Sequence, residues 1–174
     1  LQSDASELKT YVTASVSGAC NTLATAPDCG NFKIATFTGP GNFTVCSAGN
    51  AAGSNSVDYL IVAGGAGGGQ DRGGAGGAGG YRETYTPAVS GTYTASPLAL
   101  ATSTTVTAQT YPIVIGAGGA GRSSGTSPGG DGNVSSGLGI TSAGGGGGAG
   151  SSPTSGTAGG SGGGGAGAPP SLGG

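Results

Sequence analysis

Apolar and polar residues alternate along this chain only in short bursts, separated by long stretches that carry almost no side chain. Lys33-Ile34-Ala35-Thr36-Phe37-Thr38 alternates faces, Gly39-Pro40-Gly41-Asn42 has turn chemistry, and Phe43-Thr44-Val45 alternates again, which together predict a β-hairpin. The run VDYLIVA at 57–63 is almost continuously apolar, as expected of a strand buried on both faces. Residues 81–93 and 98–106 are rich in Thr and Tyr and are broken by Pro87, Gly91 and Pro97. They predict short strands with one wet face, and Ile113-Val114-Ile115 predicts another. Near the start, Asp4-Ala5-Ser6-Glu7 precedes Leu8, Tyr11, Val12 and Val16 at helical spacing, so one short helix is expected near residues 5–16. Residues 1–30 read as a connecting segment and 31–174 as the main domain, with a flexible tail expected from about residue 151.

Between the bursts the pattern is set by glycine. Of the 44 glycines, 11 fall in 64–80 and 26 in 116–174, whereas 81–115 holds one. Ala63, Ala66, Arg72, Ala75, Ala78 and Tyr81 share one period of three, and residues 73–80 repeat Gly-Gly-Ala strictly. A flexible linker needs no such register. Three residues per turn is the repeat of the extended polyproline-II helix, which has no internal hydrogen bonds. Gly-Gly-x in that geometry leaves two bare edges, along which neighbouring chains can approach until N–H and C=O groups pair laterally. Ordering glycine costs the most backbone entropy, so such a helix is expected only as part of a stack. The glycines expected to pack this way are Gly64, Gly65, Gly67 and Gly68, then Gly73, Gly74, Gly76, Gly77, Gly79 and Gly80. Gly118 and Gly119 follow, and Gly144, Gly145, Gly146 and Gly147 suit the middle of a stack. The expected fold is therefore mainly β, with short strands in a sandwich-like unit combined with packed polyglycine-II helices.

Composition agrees that side-chain burial does not hold the whole chain. Leu, Ile, Val and Phe together number 25 of 174 residues, about 14%, below the level at which a conventional core is expected. Net charge is −2, and after Glu83 only Arg122 and Asp131 are charged. With no basic stripe and no apolar run near the length of a membrane span, nucleic acid and membrane insertion are not expected. The chain begins without Met or a signal-peptide pattern and reads as processed or truncated.

Candidate chemistry is sparse. Gly116-Ala117-Gly118-Gly119-Ala120-Gly121 satisfies G-x-G-x-x-G after an apolar run. That fingerprint works because a helix follows the glycines and an acid lies about 20 residues on. Here Arg122 to Gly130 holds three more glycines and Pro128, and the only nearby acid, Asp131, lies about ten residues beyond. The same match recurs at 74–79, so no nucleotide cofactor is expected. With no His there is no imidazole base, and the carboxylates are scattered, so the chain is not expected to be an enzyme. Asp131-Gly132-Asn133 lacks the rest of a calcium loop and reads as a turn. Cys20 and Cys29 are spaced for a possible disulfide, with free thiols the alternative, and Cys46 is left over.

The segments FTGPGNFTV at 37–45, VDYLIVAGGAGGG at 57–69, GGAGGAGGYRE at 73–83, YPIVIGAGGAG at 111–121 and GDGNVSSGLGITSAGGGGGAG at 130–150 occur in an order that resembles the glycine-rich domain of bacteriophage tail-fibre and related virion proteins. The resemblance implies a virion-surface structural protein, commonly trimeric, in which glycine helices pack near a host-recognition tip. Its expected partners are copies of itself, other virion proteins and a host cell-surface receptor. Pro112 departs from the pattern, standing where a hydrogen-bond donor is usual, and predicts an exposed edge. Tyr85, Tyr93 and Tyr111 are the candidate receptor contacts, since aromatic rings give contact area at low entropy cost. Packing within strands is the alternative for each. A secreted structural or ice-binding glycine-helix protein is the other reading. Thr102, Thr104, Thr105 and Thr107 are too few and irregular for an ice-binding row.

Overall fold

The computed structural model describes residues 8–26, 32–50, 52–86, 93–123, 126–151 and 155–167. The chain is mainly β, and among the described residues there is no helix. It divides into two compact units, one comprising Leu1–Tyr59 with Glu83–Val114, the other Leu60–Arg82 with Ile115–Gly174.

The first unit is built on a long ribbon. Strands β1 (Thr13–Ser17) and β2 (Thr22–Thr25) form one arm; β3 (Lys33–Thr36) and β4 (Gly41–Ser47) form the other. β1 pairs antiparallel with β4 and β2 with β3, placing Val16 opposite Phe43 and Leu23 opposite Ala35. Both arms break at the same level, where Asn21 bridges them. Its Oδ1 accepts from the N–H groups of Thr38 and Gly39 at 3.1 and 3.2 Å, and its Nδ2 donates to Ser17 O at 2.8 Å. Gly18 sits at φ 101° in this break, a conformation that favours glycine. The segment 33–45 is therefore not a hairpin: Gly39-Pro40 is a bend within one arm, and each half pairs with the arm before it. The helix expected near 5–16 is also absent over its described part. Thr13 to Ser17 alternate exposed and half-buried, and cross-strand packing of Ala14 and Val16 on Val45 and Phe43 prevails over the weak helical spacing.

Strand β9 (Thr110–Ile113) completes a three-stranded sheet in the order β1-β4-β9, with Phe43 opposite Tyr111 and Pro112 opposite Asn42. β9 is an outer strand, a position at which proline is tolerated. Two short pairs accompany the sheets. β5 (Ser56–Val57) pairs with β8 (Thr104–Thr105), and β6 (Leu60–Val62) pairs with β7 (Tyr81–Glu83). The apolar run at 57–63 is thus split between β5 and β6 and is not buried on both faces. Leu60 and Val62 are 61% and 55% exposed, because only one face of β6 meets neighbours. Among the described residues, Phe43, Val45 and Val106 are the buried apolar residues of the first unit.

The second unit contains the hairpin β10 (Ser135–Gly137) and β11 (Ile140–Ser142), turned at Leu138 and Gly139, both at positive φ. Besides β6 and the start of β7, its described residues include seven extended threads: 63–69, 73–80, 116–122, 129–133, 143–150, 156–160 and 161–167, numbered here from first to seventh.

Candidate functional site

The threads bond to one another at every third residue. Between the first and second, Ala63, Ala66 and Gly69 donate to Gly80, Gly77 and Gly74 at 2.9–3.0 Å. Between the first and third, which run parallel, Gly119 and Arg122 donate to Gly65 and Gly68. A β ladder repeats at two residues and links a strand to two neighbours. Here the fifth thread is bonded to five others. Gly145 and Gly148 donate to the first thread, and Gly146 and Ala149 donate to the seventh. In return its carbonyls accept from Gly74, Gly77 and Gly80 of the second, Gly129 and Gly132 of the fourth, and Thr157 and Gly160 of the sixth. Gly145 through Gly150 are all buried. A Cβ on Gly145 or Gly148 would collide with the carbonyl oxygens of Gly77 and Gly74, so glycine is required there by close approach of main chain.

The bonding order fixes who adjoins whom. The fourth, first, second, seventh and sixth threads follow one another around the fifth, because each bonds to the next within that arc, apart from the fifth itself. Between sixth and fourth the ring is open, and Asp131 fills the gap. Its Oδ1 accepts from Gly147 N at 2.7 Å and from the Thr157 hydroxyl. The carboxylate stands where a further thread would offer a carbonyl. Those two donors, Thr157 first, hold the Asp131 carboxyl below its usual range. Asp131-Gly132-Asn133 is accordingly not a turn but part of the fourth thread. Residues 156–167 are bonded into the stack rather than forming a tail, with Ser161, Gly164 and Gly167 donating to Ala78, Ala75 and Arg72.

The expected packing glycines lie in these threads: ten in the first and second, Gly118 and Gly119 in the third, and Gly144 to Gly147 in the fifth. They are not equivalent. A Cβ at Gly118 would come no closer than 3.5 Å to a neighbour, so nothing within the unit demands glycine there.

The aromatic candidates separate into two places in the first unit. Tyr85 and Tyr93 meet edge to face, with ring centroids 4.9 Å apart, and Tyr93 is 46% exposed. Beneath them Glu83, 4% exposed, accepts from the Tyr93 hydroxyl at 2.7 Å and from Ser96 N at 2.8 Å. A buried carboxylate needs such donors, since desolvation otherwise forbids the charge. Tyr111 instead packs on Phe43, with centroids 6.5 Å apart. Its hydroxyl meets the Thr107 side chain and accepts from Thr107 N at 2.9 Å. These contacts with Thr107, and one with Gln109, lower its pKa.

A family model described as a glycine-rich domain matches residues 37–174. The chain belongs to that family. No curated protein and no solved structure matches it. The glycine-rich domain so delimited takes in all of the second unit and part of the first, and leaves out β1, β2 and β3. Within it, no group of three or more metal-ligating side chains exists among the described residues. Cys20 and Cys46 are exposed free thiols, and Cys29, the partner considered for Cys20, lies outside the described residues. Two residues of the glycine-rich domain were not singled out by sequence reasoning for what they do. Asp131 plugs the stack and Glu83 anchors the tyrosine pair. Isolation was the signal for Asp131, the one charged residue after Arg122, whereas Glu83 stands next to Arg82 and carried no such mark.

Proposed function

We propose that this chain is a non-enzymatic structural protein of a bacteriophage virion, a fibre or spike domain that contributes to attachment at the host surface and assembles as a homotrimer. In this reading the threads are polyglycine-II helices packed side by side, and they form a stiff mount. The observation that carries it is the fifth thread, buried from Gly145 to Gly150 and bonded to the main chain of five other threads, which supplies rigidity from a sequence poor in apolar and charged residues. The resemblance of the ordered glycine segments to tail-fibre domains supports the virion setting. The Tyr85–Tyr93 pair, with Tyr93 exposed, Tyr85 half-buried and the Tyr93 hydroxyl held by Glu83, supports a contact surface, because a preorganised aromatic pair loses little freedom on binding.

Fluorescently labelled protein applied to a panel of intact bacterial cells tests the reading. Saturable binding to a subset of strains is expected, weakened at least tenfold by Tyr93→Ala with the fold unchanged. Absence of binding across a broad panel, or undiminished binding by the variant, argues against the attachment role. Antibody raised to the chain and found on phage particles by electron microscopy tests the virion assignment separately.

A further inference from the structure

Around the first thread, the second, fifth, fourth and third threads follow in order, each bonded to the next. The thread donates to the second through Ala63, Ala66 and Gly69, accepts from the fifth at Gly64 and Gly67, donates to the fourth through Gly64 and Gly67, and accepts from the third at Gly65 and Gly68. Donation and acceptance therefore alternate from neighbour to neighbour. The fifth thread alternates the same way: it accepts from the fourth, donates to the first, accepts from the second, donates to the seventh, accepts from the sixth and donates to Asp131.

The ring around the first thread is open between the third and the second. On that side the N–H groups of Gly65 and Gly68 and the carbonyls of Ala63 and Ala66 have no partner among the described residues. The third thread is bonded to the first and fourth threads, and its Gly118 and Gly121 carbonyls likewise accept nothing among the described residues. The glycines along this margin are not demanded by the unit itself. A Cβ on Gly65, Gly118 or Gly121 would come no nearer than 3.8, 3.5 and 4.0 Å to any neighbour, and none has positive φ. Something approaching from outside accounts for them. The glycines along this margin present only main-chain donors and acceptors repeating at three residues, so its complement is another thread of the same kind.

Alternation decides how a copy can supply that thread. A pattern of three donors alternating with three acceptors maps onto itself under a rotation of one third about the thread, whereas a half-turn exchanges the two. A copy related by a two-fold axis along the threads would set donor against donor. A two-fold across the threads would place each thread opposite its own counterpart instead of over a groove. A three-fold brings donors to acceptors. We infer that three copies of this chain join around a three-fold axis parallel to the threads, through the open margin of the first and third threads, with Gly65 and Gly68 N–H groups of one copy donating to Gly118 and Gly121 carbonyls of the next. This inference rests on the reading of the threads as polyglycine-II helices.

The full chain in solution tests it by native mass spectrometry, with amide hydrogen exchange read at Gly145 and Gly148. The expected mass is three times the 15.8 kDa of one chain. Gly65→Val with Gly121→Val, whose side chains project into free space within one copy, is expected to give a monomer that keeps its slow exchange at Gly145 and Gly148. A monomeric or dimeric wild type with slow exchange overturns the inference and, with it, the homotrimer of the proposed function, while the packed threads stand. A double variant that remains trimeric also overturns it, placing the contact elsewhere. Fast exchange at Gly145 and Gly148 in the wild type would remove the glycine-helix reading and this interface together.

Discussion

In the first unit Phe43, Val45 and Val106 are withdrawn from water beside a three-stranded sheet, and neighbouring strands share side chains across the pleat. In the second, the interior is occupied by main chain: Gly145 to Gly150 are buried, and Ala149 is the largest side chain among them. Apolar burial is roughly proportional to area and forgiving of shape. Lateral pairing of glycine threads is neither. Each net bond contributes about 0.5–1.5 kcal/mol and ordering each glycine costs a comparable amount, so the stack holds only while its members remain at bonding distance together. The two units should therefore respond differently to the same kind of substitution: one gradually, the other by position.

The sharpest break expected is at the centre of the stack. Gly145→Val pushes a branched side chain against the Gly77 carbonyl, and the fifth thread cannot move without losing bonds to the first, second and fourth. A loss of more than about 4 kcal/mol is expected, in the range reserved for severe core damage. Hydrogen exchange at Gly77, Gly132 and Gly148 should rise together while the amide of Val45 in β4 stays protected. Equal loss in both units would show that they do not fold by separate means. In the first unit the matching test is Phe43→Ala, which removes the ring facing Tyr111 and opens a cavity. About 3 kcal/mol is expected, measured by denaturant unfolding, with exchange in the glycine threads unchanged.

The same contrast explains what could be read in advance. The glycine register was legible because a period of three over 63–81 is a pattern in sequence, and a stack repeats its geometry along the chain. The centrality of 144–148 was legible because an interior thread tolerates no side chain. Strand pairing was less so. The turn-like Gly39-Pro40 suggested a local hairpin, but β4 finds its partners in β1 and β9, and pairing across such distances leaves no local trace. Helical spacing at Leu8, Tyr11 and Val12 was outweighed by packing of Val16 on Phe43. Asp131 was visible only as a lone charge and Glu83 only as the neighbour of Arg82, since what each accepts depends on chain brought from elsewhere: Gly147 and Thr157 for one, Tyr93 and Ser96 for the other.

Glu83 sharpens the comparison at the next level down, because its role is polar satisfaction within the side-chain-packed unit. Glu83→Leu deprives Ser96 N–H and the Tyr93 hydroxyl of their acceptor, with an expected loss of about 2 kcal/mol. Glu83→Gln retains an acceptor oxygen and should recover most of it. Equal effects of the two would mean that the hydrogen bonds are not what holds the carboxylate there.

Asp131 does the analogous work in the stack and adds a pH signature. Its folded pKa lies below the ordinary 3.8 because Thr157 and Gly147 donate to the ionised form. A depressed carboxyl stabilises the fold fully above the unfolded value, and that contribution is lost as pH falls through the folded value. Melting temperature should thus be flat from neutral pH down to about 4 and fall below it, with exchange at Gly147 rising first. Asp131→Asn should flatten that acid-side decline. A wild type whose acid sensitivity is untouched by the substitution would mean that other carboxylates govern it.

The smallest expected effect is the most discriminating, since it uses two adjacent glycines in one thread. A Cβ on Gly163 would collide with the carbonyl of Gly147, whereas on Gly162 it would meet nothing nearer than the Thr157 oxygen at 3.7 Å. Neither has positive φ, so backbone conformation does not separate them. Gly162→Ala should change stability by no more than about 1 kcal/mol, and in the favourable direction, because alanine narrows the unfolded ensemble without straining the fold. Gly163→Ala must push the seventh thread off the fifth and should release the Gly146 and Ala149 amides, which donate to Ser161 and Gly164, to rapid exchange. If the two substitutions behave alike, close approach of main chain is not what selects glycine in the stack, and the distinction between the units reduces to composition.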